Sequence, residues 1–128
     1  MATPPLLSHE RLDVYQRSIQ FLCLTSKLAT GIPRGHGELL DQWKRAAISV
    51  PLNIAEASGR TGSLDNARHF SIARGSALEC GAIVDACHAL GLIEHKMLVE
   101  AKNMLVPIVG MLTKLCDKGR GHGQARGP

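Results

Sequence analysis

Cysteine, histidine and carboxylate side chains are the raw material of metal sites and catalysts, and this chain places several at regular intervals. Cys80 and Cys87 lie seven residues apart, as do His88 and His95, and Asp85 stands three residues before His88. Seven helical residues span about 10 Å, so Cys80 and Cys87 cannot share a zinc ion unaided. Gly91 falls between His88 and His95 and is expected to end a helix there, separating the two rings. A di-iron bundle carries two Glu-x-x-His motifs. This sequence offers only Asp85-x-x-His88, which reads as a surface ion pair or a helix-end interaction. Gly59-Arg60-Thr61-Gly62 is too short for a phosphate-binding loop and lacks its Lys-Ser/Thr end. No nucleophile elbow or Cys/His dyad stands at a recognisable spacing. The expectation is a non-enzymatic protein with no metal and no cofactor.

Hydrogen-bonding side chains form a stronger pattern between Gln42 and Gly59. Trp43, Ala47, Val50, Ile54 and Ala57 recur at helical steps as an apolar seam. Beside it run Gln42, Arg45, Ser49, Asn53, Glu56 and Arg60, again at steps of three and four. Two readings fit this second stripe. It is either a half-exposed polar flank or a set of groups that bond across to a neighbouring helix, where burial would require each to find a partner.

The elements that must position these residues are all helical. Helix one is expected from His9 to about Ala29, with Leu12, Tyr15, Ile19, Leu22 and Cys23 or Ser26 inward, and Thr30–His36 is a loop broken by Gly31, Pro33 and Gly35. Helix two is expected from Gly37 or Glu38 to about Ser58, one helix bent at Pro51. Helix three follows from an N-cap at Ser63 and is closed by Gly91. Gly75 and Gly81 within it suggest that another backbone comes close. Helix four is expected from about Ile93 to Cys116, through Leu98, Ala101, Leu105, Ile108, Leu112 and Leu115. Four such rods, joined by short loops, fit an all-α antiparallel up-down-up-down four-helix bundle. Its parts are a flexible arm over residues 1–8, the bundle over 9–117, and a disordered Gly-rich basic tail over 118–128.

Composition sets the remaining bounds. The 128 residues suffice for one domain. Charged residues are only 20% of the chain against 45% hydrophobic, an apolar excess that a lone small bundle struggles to hide and that favours an oligomer. The four cysteines fall in apolar periodic segments and read as reduced core thiols in a reducing cytoplasm. No leader pattern or bilayer-spanning run is visible, so a soluble cytoplasmic protein is expected. Net charge is +4, and from Lys118 onward there are three basic residues and no acidic one.

Gln42-x-x-Arg45-Ala46-Ala47-x-Ser49-Val50-Pro51-x-Asn53-Ile54-Ala55-Glu56 resembles the core signature of the 23S rRNA-intervening-sequence proteins. Phe70-x-Ile72-Ala73-Arg74-Gly75-Ser76-Ala77-x-Glu79 is similar to that family's second signature, and the likeness covers about residues 10–115. One departure is Ala57-Ser58-Gly59, where the family has Gly directly after the Glu. The resemblance implies a left-handed four-helix bundle and a ring-shaped homopentamer. It also implies a setting: insertions within ribosomal RNA genes or, in a related branch, accessory proteins of diversity-generating retroelements that bind nucleic acid and a reverse transcriptase.

The shared motifs map onto the polar stripe. Gln42, Arg45, Ser49, Asn53 and Glu56 of helix two, with Ser76 and Glu79 of helix three, are expected to form an interhelical or intersubunit hydrogen-bond network, with Arg and Glu pairing bidentately and Gly75 admitting the close approach. Nucleic-acid contacts are assigned to Arg60, Arg68, Arg74, Lys114, Lys118, Arg120 and Arg126. With so few aromatic residues, binding to RNA or DNA should be led by phosphates and sensitive to salt. The first functional reading is therefore an oligomeric accessory protein that binds RNA or DNA. The alternative is a ring-shaped protein-interaction scaffold that binds no nucleic acid.

Overall fold

The computed structural model describes residues 2–125, and their side chains as far as Gly119. A short 3-10 turn, Ser8–Arg11, precedes four helices: α1 Asp13–Ala29, α2 Gly37–Ser58, α3 Ser63–Ala89 and α4 His95–Ala125. No strand occurs among the described residues.

Helix α2 forms the expected seam and runs unbroken through Pro51. Trp43, Ala47, Ile54 and Ala57 are fully buried and Val50 nearly so. Helix α1 differs from expectation in two ways. Leu12 is extended and separates the 3-10 turn from the helix proper. The buried face is Val14, Ser18, Phe21, Leu24, Thr25 and Leu28, while Leu12, Tyr15 and Leu22 are only partly buried. The expected stripe is out of phase because two core positions are hydroxyls. Ser18 solves its own burial by donating to the Tyr15 carbonyl at 2.6 Å.

Helices α2, α3 and α4 are tied by pairs whose order reverses from one helix to the next. Asn66 of α3 donates its side-chain amide to the carbonyls of Ala57 and Arg60, and Ser76, further along α3, reaches back to Ser49. Between α3 and α4, Asp85 pairs with Lys102, Arg74 with Thr113, and Ala67 lies against Gly119. Advancing along α3 therefore retreats along both neighbours. In α4 the buried positions are Ala101, Leu105, Ile108, Leu112 and Cys116. Leu98 and Leu115 are partly buried, so the stripe ends on the cysteine instead of the leucine beside it.

The α3–α4 turn is fixed by backbone geometry. Gly91 has φ +74°, the left-handed conformation that glycine tolerates best. The Leu92 N–H donates to the Cys87 carbonyl at 2.8 Å and that of Gly91 to the His88 carbonyl at 3.0 Å. This tight reversal brings the His88 and His95 rings to 5.7 Å between centroids, instead of separating them as the sequence suggested. Helix α3 itself begins at Ser63 with Gly62, not Ser63, in the N-cap position.

The glycine readings also change. A Cβ on Gly75 would meet nothing within 4 Å, and one on Gly81 would make an ordinary 3.9 Å contact with Leu105. Neither marks a close backbone approach. That approach occurs at Gly119, where a Cβ would stand 2.8 Å from both Ala67 Cβ and the Ser63 carbonyl oxygen. Helix α4 accordingly continues past Lys118, where the composition suggested a disordered tail, and runs to Ala125. Of the four thiols, Cys80, Cys87 and Cys116 are buried as expected, whereas Cys23 is exposed.

Candidate nucleic-acid interface and polar network

Because α3 and α4 run in opposite senses, the first half of α3 lies beside the last part of α4. Arg74 donates its Nε to Thr113 Oγ1 at 2.7 Å, and Thr113 in turn donates to the Val109 carbonyl at 2.8 Å. Lys114 follows Thr113, Lys118 precedes Gly119, and Arg68 follows Ala67. Four of the expected cations thus gather at one end of the helix pair. Arg68, Lys114 and Lys118 are exposed and Arg74 is half-buried. Asp65 and Asp117 lie in the same stretch, Asp65 beside Arg60, and residues 77–106 at the other end carry Glu79, Asp85, Glu94 and Glu100 against Lys96 and Lys102. The pair is therefore electrically lopsided.

Arg60 is in a different state. It follows the end of α2, pairs with Glu56 in that helix's last turn and lies 3.6 Å from Asp65, so its charge is already answered. The side chain of Arg120 and all of Arg126 lie outside the described residues.

The polar stripe of α2 divides in two. Ser76 Oγ donates to Ser49 Oγ at 2.8 Å, and the Asn53 amide donates to Ser49 Oγ at 3.0 Å and to the Ser49 carbonyl at 2.9 Å. The Asn53 Oδ1 faces His69 Nδ1 at 3.5 Å. These four side chains form one half-buried chain between α2 and α3. Gln42, Arg45 and Glu79 are instead exposed, and with Glu38 and Asp41 they line an open cleft of ≈ 570 Å³. Glu56 turns to Arg60. Gly75 is exposed beside the chain and admits nothing through it.

Thr113, His69 and Asn66 take part in these contacts and were not singled out in the sequence. Asn66 carried a signal: an Asn three residues into a helix after a Gly-rich turn is well placed to cap the preceding carbonyls. Thr113 and His69 carry none, since their partners lie 39 and 16 residues away.

Apolar side chains also stay in the open. On α2, Ile48 and Leu52, one helical turn apart, are 45% and 61% exposed. On α4, Val106 is 68% exposed at the rim of a ≈ 400 Å³ groove floored by Ala77, Gly81, Leu105 and Val109. No described helix is long and apolar enough to cross a membrane.

A four-helix bundle whose polar groups are spent on helix-to-helix bonds and on one basic end is the class of molecule these features define. The chain belongs to the 23S rRNA-intervening sequence protein family, whose model matches residues 10–114. Its fold is similar to the crystal structure of a protein of unknown function from the S23 ribosomal protein family of Bacteroides thetaiotaomicron. The TM-score is 0.74 at 20% identity, covering 80% of this chain and 97% of that one. No curated protein matches the chain.

Proposed function

We propose that the protein is a non-enzymatic accessory factor: an up-down-up-down four-helix bundle that assembles into a ring and binds RNA or DNA through phosphates. The observation that supports nucleic-acid binding best is the gathering of Arg68, Arg74, Lys114 and Lys118 at one end of α3 and α4, away from the acidic end. Phosphate neutralisation needs accessible cations and no fixed geometry. The described aromatic residues are few, and Trp43, Phe21 and Phe70 are buried, so bases have little to stack upon. A ring repeats a modest charge around its circumference and gives avidity that one subunit lacks. Titration of labelled RNA and duplex DNA at increasing salt tests the reading. Absence of binding even at low salt overturns it.

The exposed apolar ridge supports the oligomer. Ile48 and Leu52 protrude between Arg45 and Glu56 on the outer face of α2, an arrangement that lets a neighbouring subunit cover apolar surface and meet a charge at each end. The family resemblance favours five subunits. Leu52→Asp is expected to shift the particle to smaller species in multi-angle light scattering while helical circular dichroism is retained. An unchanged mass would remove this ridge from the subunit contact. A ring with this ridge but no affinity for polyanions would instead be the scaffold, and its partner would be a protein such as a reverse transcriptase or another nucleic-acid enzyme.

A further inference from the structure

On the basis of the ring proposed above, we infer that the α2 ridge of one subunit seats on the outer face of α3 of the next, with Arg45 of one chain meeting Glu79 of the other. The ridge is the row Arg45, Ile48, Leu52 and Glu56, exposed at helical steps of three, four and four. The outer face of α3 carries a second exposed row, Arg68, Ile72, Gly75 and Glu79, at steps of four, three and four. Ile72 is 41% exposed there, an apolar side chain with no cover from its own chain. Gly75 is harder still to explain within one bundle. Glycine weakens a helix interior relative to alanine, yet a Cβ at Gly75 would meet nothing within 4 Å. A second chain supplies the reason, because a bare backbone lets Ile48 of the neighbour pack closely against it.

The register of the two rows follows from contacts inside each chain. Ser76 donates to Ser49 at 2.8 Å and Asn53 faces His69 at 3.5 Å, so these positions stand level on α2 and α3. Counted outward from Ser49 and Ser76, Arg45 stands level with Glu79, Ile48 with Gly75 and Leu52 with Ile72, each to within about 3 Å along the axis. Rotation about an axis that runs along the bundle preserves height, so each α2 row meets the α3 row of the next subunit already aligned. Opposite charges then coincide. Arg45 and Glu79 are both exposed, and among the described residues no ion pair engages either. Glu56 is held by its own Arg60, which leaves Arg68 of the next subunit at the rim of the joint with its charge open to phosphate. The rows stand on neighbouring helices of one chain, so a head-to-tail contact turns at every step and closes a ring instead of extending a straight filament.

The test mixes two variants of the full chain. Leu52→Asp spoils the ridge and leaves the seat intact, whereas Gly75→Gln fills the seat and leaves the ridge intact. Each alone is expected to weaken assembly about tenfold or more in sedimentation velocity, with helical circular dichroism retained. Mixed in equal amounts they should form dimers and nothing larger, because one good ridge and one good seat remain between them. Should Gly75→Gln fail to fold, Glu79→Arg takes its place by setting two cations across the joint. A mixture that stays as two unassociated populations even at the highest concentration measured would overturn the seat. So would a Gly75→Gln protein that assembles like the parent while Leu52→Asp does not, a result that leaves the ring itself standing. A parent chain of single subunits would overturn both.

Discussion

Arg60 and Lys114 both qualify as phosphate ligands by composition, yet the structure sets them apart, and replacing each by glutamine tests that difference. Arg60 faces Glu56 and Asp65, so a phosphate would have to displace two carboxylates to use it. Lys114 is exposed, and no described carboxylate pairs with it. Each phosphate neutralised on duplex DNA contributes about −0.9 to the slope of log K against log salt. Four cations, Arg68, Arg74, Lys114 and Lys118, give a slope of about −3.6 per subunit, or roughly a hundredfold loss of affinity between 50 and 200 mM salt. Lys114→Gln should make that slope shallower by about 0.9. Arg60→Gln should leave it nearly unchanged. The assay is fluorescence anisotropy of a labelled duplex at several salt concentrations, and because slopes are compared between variants, Arg120 and Arg126 contribute equally to all of them. Equal loss of slope in the two variants would refute the reasoning, and a parent slope near zero would refute phosphate binding itself.

Four further outcomes are expected, each measured at fixed protein concentration because assembly couples to stability. Gly119→Ala should destabilise by about 1–3 kcal/mol, since its new carbon meets an Ala67 carbon and a backbone oxygen that cannot swing away. Gly81→Ala, which makes only a 3.9 Å contact, should stabilise by up to about 1 kcal/mol, and urea unfolding of the pair must give opposite signs. Thr25→Val should stabilise by about 1 kcal/mol on the same assay, because the Thr25 hydroxyl is buried without a hydrogen-bond partner and a methyl group replaces it at equal volume. In the native protein a thiol reagent should label Cys23 alone, and all four cysteines once denaturant is added. Burial first, then the neighbouring Glu79, pushes the Cys80 thiol from its ordinary 9.0 up to about 12, and burial raises Cys87 as well. A thiol held protonated by folding contributes stability that is whole below pH 9 and declines as pH rises towards about 12. Alkaline unfolding should therefore begin above pH 9, and should begin later in Cys80→Ala if that side chain is its cause.

The helical plan was legible because two strong local signals agree with the tertiary structure. The α2 seam from Trp43 to Ala57 repeats at a helical period, and every member is buried. The turns at Gly59–Gly62 and Gly91 break the pattern where the chain reverses. What escaped reading depends on contacts between residues far apart. Ser18 and Thr25 lie in the core of α1 although they are hydroxyls, so a pattern read by hydrophobicity picks the neighbouring face. Gly75 and Gly119 are indistinguishable by type, and only the position of the opposing helix makes the second a close approach and the first an open surface. The Gly91 turn between His88 and His95 reads in the sequence as a separator, whereas a tight reversal at positive φ brings their rings together.

The division of the α2 stripe bears most directly on function. Ser49 and Asn53 find Ser76 and His69 within a single chain, so the inner half of the stripe is explained by the fold alone. Gln42, Arg45 and Glu79 belong to the same signatures and line one open cleft, but no hydrogen bond or ion pair joins them, and they sit in the open beside Ile48. A lone bundle gains little from exposed charges, since surface pairs contribute at most about 1 kcal/mol, and it gains nothing from an uncovered isoleucine and leucine. Both become useful when a second subunit excludes water from that face: apolar side chains are then buried, and an arginine and a glutamate can bond bidentately across the joint. The outer half of the stripe therefore supports assembly as the use of this surface, leaving the basic end of α3 and α4 open for the proposed polyanion contact.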